Sequence, residues 1–194
     1  MYWSQLLFSQ GFGTRRVCAG LIAARAVSAD GQVVDDDAEV EATDGLAFEV
    51  NGQPWQYHAS ALILLHKPAG YECSQKPRHH PSVLTLLPPP LRNRGVQTIG
   101  RLDEDTTGVL LLTDDGTLIH RLTSPKHHVA KVYEVTCKHA MEPKQVEQLR
   151  RGVVLDDDPM PVRAAAADLA SPPHLRLTLA DGKWVDNAYA ENIV

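Results

Sequence analysis

The densest run of chemically capable side chains is Gly100 to Gly116, GRLDEDTTGVLLLTDDG. Asp103 stands between apolar Leu102 and a polar Asp-Thr-Thr-Gly turn, just ahead of Val109 to Leu112, which is expected to be a buried run. A carboxylate at a strand edge serves as nucleophile or base when the sheet fixes its position and the loop leaves it accessible. A plainer reading of the same residues is that Asp103, Asp105 and Thr106 only make the hydrogen bonds of a turn. A third is a calcium loop, because Asp103, Asp105, Thr107, Gly108 and Asp114 fall loosely on its positions one, three, five, six and twelve. That loop wants a flanking helix and a bidentate Glu at the last position. Here VLLLT is β-type and the last position is Asp, so calcium is disfavoured.

Arg101 lies two residues before Asp103, and strand alternation would put both side chains on one face. Its guanidinium would then either keep the carboxylate ionised or bind a phosphate. Lys67, Lys76, Arg78, His79 and His80 form a second group, suited to phosphate contacts around a pocket. The alternative for each is a solvated loop. Arg15 and Arg16 fall in the first turn of an expected helix, where N–H groups and guanidinium groups jointly bind backbone phosphates. The competing reading, two solvated surface arginines, stays open.

The formal net charge is −5, from 19 basic and 24 acidic residues, which by itself argues against a polyanion partner. Its distribution argues otherwise. Residues 1–58 hold 3 basic and 8 acidic residues, whereas 66–131 hold 9 basic, 6 acidic and 6 of the 9 histidines. A polyanion site is therefore expected in the middle of the chain.

With these residues in view, GRLDEDTTGVLLLTDDG closely resembles the catalytic motif of the RsuA-like pseudouridine synthases, and Asp103 falls on that family's catalytic aspartate. HKPAGYECS (His66 to Ser74), RLTSPKHHVAKVYEV (Arg121 to Val135) and GVVLDD (Gly152 to Asp157) match in the family's order. The N-terminal LLFSQGFGTRR with its DGQVV hairpin is similar to an S-four-type RNA-binding domain. The resemblance runs from residue 4 to about 183. Within the family, ECSQKPRHHPSV and TSPKHH look most like the subgroup acting on small-subunit ribosomal RNA.

The resemblance implies an isomerase. The bond from the uracil ring nitrogen to ribose breaks, the base turns, and it rejoins through a carbon. Breaking that bond leaves the anomeric carbon electron-poor, so Asp103 would trap or stabilise it as glycosidase carboxylates do, or else take a proton from the ribose. The uridine must be flipped out of its stack, and flipped bases are held against aromatic rings. By resemblance Tyr133 of KVYEV is that ring; a strand tyrosine filling core is the competing reading. Lys126 of TSPKHH joins the RNA-binding set. The implied partner is ribosomal RNA, as small-subunit RNA or its precursor particle. A redox-neutral isomerisation implies no cofactor, and no metal is expected. The sequence departs from the family after LRLTLADGK, where WVDNAYAENIV replaces a segment whose basic residue faces the aspartate. The alternative function is accordingly a catalytically impaired RNA-binding protein derived from such an enzyme.

The elements that must position these residues are legible in part. The chain has 194 residues, 43% hydrophobic and 22% charged, enough to bury a core without staples. Cys18, Cys73 and Cys137 are an odd number without a C-x-x-C pair, which disfavours disulfides and structural zinc. A reducing cytoplasm follows, with a monomer and no membrane span or secretory signal expected. Residues 4–26 read as two short helices, with Gly11 and Gly13 stopping the first and Thr14 capping the second. Val27 to Val34 reads as a hairpin around Asp30-Gly31, Leu46 to Val50 as a strand, and NGQPWQYHAS as a linker. The expected domains are thus 1–58, an RNA-binding module, and 59–194, a catalytic domain. In the second, ALILLHKPAGY reads as a buried strand and QKPRHHPSVLTLLPPPLRNRG as a surface loop with one helical turn. Val109 to Thr113 and Lys131 to Cys137 read as strands and Pro143 to Gly152 as a helix, followed by short strands at Val153 to Leu155, Val162 to Ala166 and Leu175 to Leu179. Strands and helices do not alternate regularly, so the expected class is α+β with a mixed, largely antiparallel sheet flanked by helices.

Overall fold

The structure, a computed structural model, describes residues 1–124, 130–137, 139–155, 158–171 and 173–179. The chain divides into two compact units, Met1–His120 and Arg121–Val194.

The first unit opens with α1 (Trp3–Ser9) and α2 (Arg15–Ala23). In α1 the buried residues Trp3, Leu6 and Leu7 recur at helical spacing, and in α2 Cys18 and Ile22 do the same. Thr14 caps α2 by accepting the Val17 N–H at 3.3 Å. Strands β1 (Val27–Ala29), β2 (Gln32–Val33), β3 (Ala47–Val50) and β4 (Gln53–Gln56) form an antiparallel sheet in the order β2-β1-β3-β4. Its inner face closes on the two helices through Val27, Phe48 and Val50.

Strand β4 corrects the linker expected over 51–60. Asn51 and Gly52 both have positive φ, 53° and 71°, the conformation of the two-residue turn that matches the twist of a hairpin. The turn pairs Phe48 with Trp55 across the strands, and Phe12 meets both rings edge-on at 5.9 and 5.3 Å. Pro54 argues for a linker in the sequence but sits here on an edge strand, where a missing N–H is tolerated.

Strands β5 (Leu62–Lys67), β6 (Gln97–Thr98) and β7 (Gly108–Thr113) form a second antiparallel sheet, with β7 in the centre. Ile63, Leu65, Leu110 and Leu112 face a core that includes Val83, Leu87 and Val96. Those last residues come from a 3₁₀ turn (Val83–Leu86) and the chain around α3 (Pro89–Asn93). β5 is not the buried strand that its apolar run predicts. Leu62 and Leu64 are 64% and 70% exposed, and Val109 across from His66 is 68% exposed. Only one face of the sheet packs on that core, and because both faces are apolar the period of two is hidden in the sequence. Helix α4 (Gly116–Thr123) was not expected; Asp115 starts it by accepting the N–H groups of Thr117 and Leu118 at 2.8 and 3.1 Å.

The helix-helix-sheet module is tied to the rest of its unit by side-chain bonds that include Ala59 N–H to Asp44 Oδ1 at 2.7 Å. Gly11 has φ +83°, and a Cβ there would lie 2.0 Å from the Pro90 carbonyl oxygen, so only glycine allows the Asn93 amide to donate to Gly11 O at 2.8 Å. Beside it, Arg94 is buried against Asp114 at 2.6 Å and donates to Gln10 Oε1 and His58 O at 2.8 and 3.0 Å.

The second unit contains β8 (Lys131–Thr136), α5 (Pro143–Arg151), β9 (Val153–Leu155), β10 (Asp158–Val162), β11 (Ala166–Ser171) and β12 (His174–Leu179). Sheets β11-β12-β8 and β10-β9 are antiparallel. α5 begins with a capping box between Glu142 and Gln145, and Val146 and Leu149 pack on Ala167, Leu175, Leu177 and Leu179. The strand expected over Val162 to Ala166 is instead the end of one strand and the start of the next. Ala164 and Ala165 between them donate to Leu149 O and Thr178 O. The three cysteines are free, as read from their spacing. The whole is an α+β fold with antiparallel sheets.

Candidate active site

Asp103 lies in the loop between β6 and β7 rather than on a strand. Its neighbour Leu102 packs against the β5–β7 core and donates its N–H to Cys73 Sγ at 3.4 Å. Thr106 N–H donates to Asp103 O at 3.2 Å, so the plain turn chemistry is present. It engages the backbone of Asp103 and leaves the side chain alone. The Asp103 side chain is exposed, and no described residue hydrogen-bonds or ion-pairs with its carboxylate.

What fixes this loop is Lys67. On β5 the inward face reads Ile63, Leu65, Lys67, and Lys67 is wholly buried. Its Nζ donates to Pro68 O at 3.1 Å, Glu104 O at 3.0 Å and Thr106 O at 2.7 Å. All three ammonium donors are used, and every acceptor is a backbone carbonyl. The phosphate contact expected of Lys67 is thereby corrected: a buried cation with no free donor holds protein, not RNA. Gly70 N–H adds a second bond to Glu104 O at 2.7 Å. Asp103 is therefore an accessible carboxylate on a backbone clamped from below, which is what a preorganised nucleophile or base requires.

A second loop rises beside it. The Glu72 carboxylate accepts three consecutive backbone N–H groups, Arg78 at 3.0 Å and His79 and His80 at 2.8 Å each. These bonds, His80 first, then His79 and Arg78, hold the Glu72 carboxyl at about 2, well below its ordinary 4.5. His80 Nε2 in turn lies 3.4 Å from Glu104 Oε2, one residue from Asp103. The side chains of Lys76, Arg78 and His79 are exposed; Lys76 and Arg78 have no hydrogen-bond or ion-pair partner among the described residues, and His79 adds a small attraction to Glu72. Glu72 and Glu104 were not singled out in the sequence, because nothing in residue type reveals a carboxylate aimed at backbone.

The remaining candidates scatter. Arg101 is exposed and forms no ion pair with Asp103; residues 101–107 are not a strand, so alternation does not set their faces. Arg15 and Arg16 are exposed at the start of α2, with the Arg15 guanidinium 4.8 Å over the Phe8 ring. Tyr133 belongs to the second unit, on β8 opposite Leu177, and packs partly buried against that unit's core. Lys126 lies outside the described residues. The calcium spacing dissolves, because Asp114 is committed to Arg94 and to the N–H of Ala61 and the hydroxyl of Ser60 at 2.8 and 3.1 Å. A cleft of about 790 Å³ in the first unit lies away from Asp103, between the N-terminal sheet and β5. It exposes Asp30 and Glu49 while the Arg94 charge is already paired, the wrong sign for a polyanion.

The family model for the RNA pseudouridylate synthases matches residues 61–169, which contain both loops just described. The chain belongs to this family. The RNA pseudouridylate synthases are isomerases, so the accessible carboxylate sits in an enzyme fold. The chain is 36% identical over 178 residues to the ribosomal small subunit pseudouridine synthase A of Yersinia pestis, covering 91% of this chain and 75% of that protein. The Escherichia coli K12 protein of the same name is 35% identical, with 91% and 76% covered. An RNA pseudouridine synthase of Bacillus subtilis is 32% identical over 188 residues, with 95% and 78% covered. Among solved structures, a pseudouridylate synthase crystal structure aligns with a TM-score of 0.59 at 27% identity, over 99% of this chain and 83% of that one.

Proposed function

We propose that this pseudouridine synthase isomerises a uridine of small-subunit ribosomal RNA, with Asp103 as the catalytic carboxylate. The observation that carries the assignment is the exposed Asp103 side chain, without a partner among the described residues, on a loop locked by Lys67. As the bond from ribose to the ring nitrogen breaks, positive charge develops at the anomeric carbon. A carboxylate within reach stabilises that charge or adds to the carbon, and departs when the ring carbon attacks. Proton abstraction from the ribose by the same carboxylate is the competing chemistry. Atoms and electrons balance within the substrate, so the reaction draws on no redox cofactor. Tyr133 is assigned to pack against the flipped base and Arg101 to hold a phosphate or the carboxylate's charge.

The relatives named for the ribosomal small subunit support that RNA, or its precursor particle, as the substrate. A monomer acting in the cytoplasm suits it, and no helix among the described residues is long and apolar enough to cross a membrane. We assign residues 1–58 as the RNA-binding module, with Arg15 and Arg16 on backbone phosphate, and 59–194 as the catalytic domain. Lys76, Arg78, His79, His80 and Lys126 complete the phosphate contacts.

The test is to incubate the protein with small-subunit RNA or the precursor particle and map pseudouridine chemically. One modified position in the unaltered protein, and none with Asp103→Ala, is the expected result. Unchanged turnover in Asp103→Ala removes Asp103 from the mechanism. RNA binding with no turnover in the unaltered protein establishes the RNA-binding alternative instead.

A further inference from the structure

A half-buried glutamate amid the exposed residues Lys76, Arg78, His79 and His80 is at first sight an error in a surface meant for RNA, since it repels phosphate. The geometry around Glu72 gives it another purpose. Its backbone closes the loop, with Glu72 N–H donating to Pro81 O at 3.0 Å and Val83 N–H to Glu72 O at 2.9 Å. Ser82 Oγ donates to Ser74 O at 2.5 Å and Lys76 N–H to Ser74 Oγ at 3.1 Å, tightening the neck. The Glu72 side chain then fills the loop's interior, where three successive N–H groups converge on its two oxygens. Successive amides aimed at one point make a concave anion site. Here the anion is the protein's own. With the amides turned inward, the side chains of Lys76 and Arg78 are left exposed, and the loop's far end is joined through His80 and Glu104 to the Asp103 loop.

We propose that Glu72 is a positioning residue for substrate: it folds residues 76–80 into a fixed cradle that presents Lys76 and Arg78 to RNA phosphates next to Asp103. The proposal rests on the reading of the chain as an enzyme acting on RNA. It makes Glu72 act with the opposite sign from its charge. The lowered Glu72 carboxyl agrees, since a proton would displace the N–H donors.

The experiment measures binding of a small-subunit RNA fragment by Glu72→Gln over a range of salt, beside Lys76→Ala/Arg78→Ala and the triple variant. Gln keeps the size but turns an NH₂ toward an N–H donor, so the loop loses its centre while the half-buried site still accommodates the side chain. The expected result is weaker binding, roughly threefold or more at low salt, with the log-log salt slope reduced by about 1 to 2. On the Lys76→Ala/Arg78→Ala background Glu72→Gln should add nothing, because it acts through those side chains. Tighter binding by Glu72→Gln shows a carboxylate that merely repels and overturns the proposal, as does unchanged affinity and slope or full additivity in the triple variant. A general loss of structure is separated by far-UV circular dichroism and the m-value of urea unfolding, which a loop-centred role leaves unmoved even where the midpoint falls. Pseudouridine formation by the unaltered protein is scored in parallel. Its absence refutes the isomerase reading without touching the binding comparison, and absence of RNA binding by the unaltered protein overturns both.

Discussion

Replacing Lys67 by Met separates two roles that its type alone cannot. Methionine keeps an apolar stem on the inward face of β5 and deletes the ammonium. Glu104 O keeps the Gly70 N–H, but Pro68 O and Thr106 O lose the donor they share at 3.1 and 2.7 Å. An acceptor left buried and unpaired costs about 1–3 kcal/mol, so two give roughly 2–6 kcal/mol. Asp105 and Thr107 are exposed, and water reaching one carbonyl brings the expectation to the low end, about 2–3 kcal/mol. The effect on chemistry is larger, because displacing a reacting group by about 1 Å costs on the order of 100-fold. Urea unfolding followed by the fluorescence of Trp3 and Trp55, both in the first unit, measures the former; single-turnover pseudouridine formation measures the latter. A phosphate ligand behaves in the opposite way, lowering the salt slope of RNA binding by about 1 and sparing turnover at saturating RNA. Stability within about 0.5 kcal/mol of the parent, near-parental turnover and a reduced salt slope would together refute the clamp.

Arg94→Ala strands the Asp114 carboxylate in a buried site and should destabilise the first unit by about 3–5 kcal/mol, read from urea midpoints; a loss under about 1 kcal/mol shows the pair to be hydrated instead. Arg15→Ala/Arg16→Ala should leave the fold unchanged and lower the salt slope of RNA binding by about 1 to 2, and an unchanged slope makes the N-terminal module a structural appendage. The Glu72 carboxyl, depressed in the folded protein, lends its loop a contribution complete above pH 4.5 and lost as pH falls toward 2. A carboxyl NMR titration centred near 2 is expected, and one centred near 4.5 contradicts the three N–H bonds.

Sequence reading reached furthest where one local signal decides the outcome. Thr14 before an amphipathic run, Asp30-Gly31 between alternating residues and Gly152 after PKQVEQLRR each place an element end that the structure shows. It failed where two signals compete. Asn51-Gly52 is as strong a hairpin signal as Asp30-Gly31, but Pro54 two residues later opposes a strand, and only the edge position of β4 reconciles the two. The run LILLHK hid its period because the outward positions are also leucines. Counting alternate residues from Ile63 through Leu65 puts Lys67 on the inward face, and that is the signal by which its clamping role was accessible. Glu72 and Glu104 had no such signal. Their partners are backbone groups, whose directions appear only once the loops have folded.

The residue that suggested the twelfth position of a calcium loop has a different physical consequence. Asp114 follows β7, whose first residue Gly108 ends the Asp103 loop, and it grips Arg94 while Arg94 grips Gln10, His58 and Ala59. The side chain of Arg94 is 5% exposed, so this network is largely shielded from water, where charge-assisted bonds are strong and unpaired groups costly. One end of β7 is thereby fixed to the N-terminal module and the other end meets the loop that Lys67 fixes. The frame that carries Arg15 and Arg16 and the frame that carries Asp103 are consequently one body, so the phosphate contacts proposed for α2 would orient RNA relative to the carboxylate without any contact near it. Binding energy gained far from the reacting bond serves catalysis only if such a rigid path exists, and here the path is two buried cations, Arg94 and Lys67, both spent on protein rather than on RNA.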